Sequence, residues 1–95
     1  MTIKNEKFEF TGETKVTSGR VLYRIRAVTA IPSAGVAAGD IGGWIESEEN
    51  LSVSGNAWVT DNARVYGNAL VYGDARVYGD ALIFDSAEVY GDTIE

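Results

Sequence analysis

From Val53 to Ile94 the chain can be written in sixes without a gap: VSGNAW, VTDNAR, VYGNAL, VYGDAR, VYGDAL, IFDSAE and VYGDTI. No other feature limits the fold as much as this period. Position one is always Val or Ile, as suits an inward-facing strand residue, because branched side chains pack well on a pleated surface. Position five is Ala in six hexads and Thr in one, on the inward phase where a corner leaves little room. Position three is Gly in five hexads and Asp in two, Asp61 and Asp85. A bend with positive φ favours Gly there, and Asp tolerates it. Asn, Asp or Ser at position four can bond its own backbone in the turn. Each hexad therefore reads as a short strand and a corner.

Three hexads make an 18-residue coil, and stacked coils make a parallel β-solenoid in which like side chains form ladders. Stacking at eighteen predicts Val59 on Val77, Val65 on Ile83, and Val53 on Val71 on Val89. A helix is excluded because glycine every six residues would break it. A collagen-like repeat needs Gly every third residue, and a pentapeptide solenoid needs a period of five. Stepping back by sixes extends the register to Ile41, giving nine hexads or about three coils, the first of them degenerate (IGGWIESEENLS).

Residues 1–40 lack the repeat. KFEF, ETKV and GRVLYRIRAVTAI alternate with period two between TG and SG turns. They predict a β-hairpin or meander that caps the first coil, with a small core from Phe8, Phe10, Val21, Tyr23, Ile25 and Val28. Pro32, Ser33, Gly35 and Gly39 mark a connecting loop. The expected organisation is cap and loop over 1–40 and repeat over 41–95, forming one cooperative unit.

The run GDIGGWIESEENLSVSGNAWVTDNARVYGNA, preceded by LYRIRAV, resembles the YdcK-like hexapeptide-repeat proteins and the short phage and prophage proteins that share this opening. The matching features are Gly39-Asp40, Gly42-Gly43-Trp44-Ile45, Asn50-Leu51-Ser52 and Gly55-Asn56-Ala57-Trp58, followed by the hexads. The resemblance covers roughly residues 8–95. It implies an all-β, left-handed parallel β-helix with an N-terminal β cap, and no common activity.

Charge and composition narrow the function classes. The net charge is −6. Residues 1–50 carry six basic and seven acidic side chains, and residues 51–95 carry two and seven. An acidic repeat argues against direct binding of nucleic acid, because phosphate contacts need Lys and Arg. It permits the repeat to occupy a basic groove on a host protein. With no cysteine there is no disulfide and no thiolate metal site. The opening MTIKNEKFEF has charges where a signal peptide's apolar region would lie. The most apolar tract, 27–45, is broken by Pro32, Asp40 and glycines, so no membrane partner is expected. The resulting expectation is a cytoplasmic protein in a bacterial host cell.

The enzymes that use hexapeptide helices resemble His-dependent acyltransferases and carbonic anhydrases, and this chain has no histidine. Its serines therefore lack a His partner, and GDIGGW is not a dinucleotide-binding motif. Asp74, Asp80 and Asp92 have the residue type for acid–base work or calcium, but their place in the hexad makes them turn residues. No catalysis, metal or cofactor is expected.

Outward positions six and two carry Trp58, Leu70, Leu82 and Ile94, and Tyr72, Tyr78, Phe84 and Tyr90. These form the candidate protein interface, with Asp74, Asp80 and Asp92 as the candidate acidic surface. The last repeat brings no cap of its own, and an open β edge invites pairing, so a homo-oligomer, dimer or trimer, is expected. Two functions fit. One is a phage-type interaction protein that inhibits a host defence complex or other nucleic-acid-handling machine, in the manner of an anti-CRISPR protein. The other is a structural or assembly module that self-associates through its faces or its C-terminal coil.

Overall fold

The computed structural model describes residues 5–95; residues 1–4, the start of the expected cap, lie outside the described residues. The described chain is all-β apart from two single-turn 3-10 segments, Pro32–Ala34 and Glu48–Asn50. Strands β1 (Phe8–Thr17) and β2 (Arg20–Ala27) form an antiparallel hairpin, and β3 (Ile41–Ile45) pairs antiparallel with β2. The hexads supply β4 (Trp58–Val59), β5 (Arg64–Val65), β6 (Leu70–Tyr72), β7 (Arg76–Val77), β8 (Leu82–Ile83), β9 (Glu88–Tyr90) and β10 (Thr93–Ile94).

These strands make a β-solenoid with three ladders around one core. The first ladder runs β1-β2-β3-β5-β8, so the antiparallel cap continues directly into parallel stacking. The second runs β4-β7-β10, and the third pairs β6 with β9. Alternate backbone N–H groups donate to the carbonyl seventeen residues on: Trp58 to Ala75, Thr60 to Val77, Arg64 to Ala81, Tyr66 to Ile83, all at 2.9–3.0 Å. This is how short strands satisfy their polar backbone, each against the next coil. Val59 lies on Val77, Val65 on Ile83 and Val71 on Val89. All six side chains are buried, together with Ala57, Ala63, Ala69, Ala75 and Ala81. Corner position three has φ 57 at Asp61 and 59 at Asp85, the left-handed bend inferred from the repeat.

The register slips twice, and both slips correct the sequence reading. Leu51, not Val53, bridges Val71, and Ile45 pairs with Val65, an offset of twenty. Two extra residues lie between Leu51 and Val59, so Val53 is pushed outward while Leu51 is fully buried. At the other end Ile94 pairs with Val77, an offset of seventeen. The backbone carbonyl of Asp92 takes the place of the missing alanine and accepts from Arg76 N–H at 2.8 Å. The cap core also differs. Phe8 and Ile25 are buried and Tyr23 partly so, but Phe10, Val21 and Val28 are exposed, and Leu22 is buried on the opposite face of the sheet.

Candidate functional site

The segment 42–51 joins the cap to the solenoid, and its residue types follow from crowding and polar satisfaction. Gly42 and Gly43 are the two glycines without positive φ. A Cβ on Gly42 would stand 2.7 Å from Ile25 Cγ1, Trp58 Cζ2 and the Val59 carbonyl oxygen; one on Gly43 would stand 2.7 Å from the Ala63 carbonyl oxygen and Val59 Cγ1. Both positions are glycine because the neighbouring ladder passes too close for a side chain. Asn50 is buried and uses both ends of its amide. Oδ1 accepts from the N–H groups of Glu46 (3.0 Å) and Ser47 (2.8 Å), and Nδ2 donates to the carbonyls of Gly67 (3.2 Å) and Ala69 (2.9 Å). Glu46 accepts from Gly67 N–H and pairs with Arg20 of the cap, both at 2.8 Å. Lys7 is buried and donates to the Ser52 carbonyl at 2.8 Å, and burial lowers its pKa from 10.5 to about 8.

The outer face of the first ladder collects the largest set of cations. Lys15 of β1, Arg20 and Arg24 of β2, and Arg64 of β5 surround Trp44 of β3 and Tyr66, which follows β5. Arg24 and Arg64 are the two cross-strand partners of Trp44. The Lys15 ammonium lies 4.6 Å and the Arg24 guanidinium 4.9 Å from the Trp44 ring centroid, and Arg20 lies 5.9 Å from that of Tyr66. Leu22, Trp44 and Tyr66 form a second apolar cluster beneath the cations, separate from the solenoid core. Tyr66 stacks on Phe84 with ring centroids 5.5 Å apart.

The candidate interface residues do not lie together. Leu82 and Phe84 are on the first ladder and are exposed at 47% and 43%. Leu70, Tyr72 and Tyr90 are on the third, where the tilted rings of Tyr72 and Tyr90 have centroids 4.9 Å apart and Tyr90 is 64% exposed. Tyr78 follows β7 on the second. Two residues are corrected outright. Trp58 is 3% exposed, buried in the cluster with Ile31 and Val36 of the 31–36 loop and against Gly42. Ile94 occupies position one, not six, and packs half-buried against the core. The acidic surface is divided as well. Asp74 stands on the corner between the third and second ladders, in column with Asn56, which donates to it at 3.2 Å. Asp92 shares that corner, and Asp80 lies on the next, between β7 and β8. The acids therefore divide between two corners and form no single patch.

The best-formed groove, about 370 Å³, runs along the second ladder between Ala34 and Thr60, Asp61, Arg76 and Tyr78. Among the described residues no group of three or more His, Cys, Asp or Glu could hold a metal ion, and no helix is long and apolar enough to cross a membrane. The cap strands' contribution to the cationic face was missed in the sequence. Its signal was present as basic residues at alternate positions of β2, Arg20, Arg24 and Arg26.

Residues 63–77 and 75–91 match the family model of the YdcK Beta solenoid repeat. The repeat region is therefore similar to YdcK-type β-solenoid repeats, in agreement with the resemblance carried by its sequence. No curated protein matches the chain.

Proposed function

We propose that the protein is a non-enzymatic interaction module, built on a left-handed parallel β-helix of about three coils, that docks on another protein through an outer face of the solenoid. The observation that carries this reading is the display of Leu82 and Phe84 beside the Trp44–Tyr66 cluster, on the edge strand β8 of the first ladder. Trp, Tyr and Arg dominate the energetic centres of protein interfaces, and this face holds all three. The division of Asp74, Asp80 and Asp92 between two corners moves the docking surface away from an acidic patch. The phage-type resemblance adds a partner class, a nucleic-acid-handling defence complex of a bacterial host, blocked by occlusion within the cytoplasm.

The test is capture from bacterial lysate with the tagged protein as bait, in parallel with light scattering of the protein alone. A stoichiometric host protein that is lost with Phe84→Glu supports the reading. A second reading, a self-assembling structural module, rests on the same exposed Leu82 and Phe84. It predicts a stable homo-oligomer that Leu82→Glu splits and that captures nothing else.

A further inference from the structure

Four buried polar side-chain atoms lack a hydrogen-bond partner among the described residues: Thr17 Oγ1, Arg24 Nε, Trp44 Nε1 and Arg64 Nε. All four belong to the outer face of the first ladder. Lys15 and Thr17 alternate with Val16 on β1, Arg24 is the cross-strand partner of Trp44, and Trp44 is the partner of Arg64. Buried polar atoms are nearly always paired, so three orphaned N–H donors on one row are not a random residue of packing. Trp44 is only 5% exposed, and its ring is the platform over which Lys15 and Arg24 are held. The face carries five cations, Lys15, Arg20, Arg24, Arg26 and Arg64, against Glu9, which pairs with Arg26, and Glu46, which is engaged by Arg20 and Gly67 N–H. This local excess stands on a chain of net charge −6.

We infer that this face is the docking surface for a carboxylate-rich protein segment. Carboxylates would align along the Arg24–Trp44–Arg64 row, and apolar side chains would meet Leu82 and Phe84. Three arguments select this occupant. Arg24 and Arg64 are partly exposed and offer only donors, and a carboxylate offers only acceptors. Cations already fixed over an aromatic platform lose little freedom when they bind. An apolar shelf at one end of the row suits a polypeptide.

The inference rests on the interaction-module reading and is tested separately from it. An isotope-labelled sample is titrated with a peptide of about a dozen residues, mostly glutamate with two phenylalanines, while the indole N–H resonances of Trp44 and Trp58 are followed. Three results are expected: a saturable shift at Trp44 and not at Trp58, weakening by about tenfold or more when salt is raised from low to physiological strength, and no shift with the lysine version of the peptide. Arg24→Gln with Arg64→Gln should cost about tenfold or more in affinity, and Arg76→Gln on the second ladder should cost nothing. The salt and charge-reversed arms use the unaltered protein, so they stand even where the double variant fails to fold. Absence of a saturable shift at millimolar peptide, an equal loss with Arg76→Gln, or tighter binding of an oligothymidylate would overturn the assignment. Capture of a host protein without peptide binding sinks this inference alone; peptide binding with only homo-oligomer in lysate sinks the functional reading alone.

Discussion

Gly42→Ala places one methyl group where three atoms already stand at 2.7 Å: Ile25 Cγ1, Trp58 Cζ2 and the Val59 carbonyl oxygen. Two of these belong to side chains that can shift, and the third is backbone. Overpacking of this kind costs about 1–3 kcal/mol. Replacing a glycine also returns about 0.4–1 kcal/mol by restricting the unfolded chain, so a net loss of about 1–2 kcal/mol is expected. Gly43→Ala is worse. Its Cβ meets the Ala63 carbonyl oxygen, which accepts the Trp44 N–H at 3.0 Å, so relief requires breaking the junction ladder. A loss of about 3 kcal/mol follows from combining crowding with a lost buried bond. Urea titration followed by circular dichroism measures both, with the slope checked for constancy. Gly39→Ala is the control for backbone strain alone, since Gly39 has φ 93 and nothing within 4 Å of a built Cβ; it should cost about 1 kcal/mol. In the background of Trp58→Leu, Gly42→Ala should become milder while Gly43→Ala does not, a coupling read by a double-mutant cycle. A Gly42→Ala protein within about 0.5 kcal/mol of the parent, or equal rescue of both glycine variants, would refute the crowding argument.

Leu51→Ala should cost about 2–4 kcal/mol and Val53→Ser under about 0.5 kcal/mol; the reverse order in urea melts would restore the unslipped register. Asn50→Leu strands the Ser47 N–H and two carbonyls, while the Glu46 N–H keeps the Val65 carbonyl, and should cost about 2–4 kcal/mol by the same assay; a neutral result would deny Asn50 its role as the lock of the junction. For Lys7, burial lowers the folded pKa from 10.5 to about 8, so between those values the unfolded chain holds a proton that the native one has shed. The cost of the buried ammonium is therefore fully present below pH 8 and is relieved as pH rises toward 10.5. Relative to Lys7→Met, the parent should gain on the order of 1 kcal/mol across that window, and a flat difference in stability against pH would count against the buried ammonium.

The solenoid was legible because one residue in six must be branched and apolar, one small, and one able to bend, and each requirement acts locally. The slips were not legible for the same reason. Val53 satisfies position one by type, and nothing within its own hexad reveals that Asn50, two carbonyls away in space, has claimed the corner and handed the inward phase to Leu51. Ile94 fits either phase, and its inward placement is set by the Asp92 carbonyl standing where an alanine's would. Trp58 reads as an outward residue until the 31–36 loop is folded over it. In each case a contact with a distant segment, Gly67 and Ala69 for Asn50, Arg76 for Asp92 and the 31–36 loop for Trp58, overrides the periodic rule, as tertiary context commonly does.

Charge shows the same limit more sharply. Counted by halves of the chain, the repeat is acidic and the cap nearly neutral, and the inference drawn from that count was an acidic docking surface. In three dimensions the acids fall at corner positions three and four and at scattered outward positions, so the 18-residue period distributes them around the axis. The cations of β1 and β2 obey a period of two and face one way, because Arg20, Leu22, Arg24 and Arg26 share one side of β2 and Lys15 stands across from Leu22. Arg64 joins them through its pairing with Trp44. A periodic fold thus disperses charge placed in phase with its corners, while an antiparallel sheet concentrates charge placed in phase with its pleat. For this chain the nearly neutral half builds the more strongly charged surface, and the net charge of a segment says little about the sign of the face it presents.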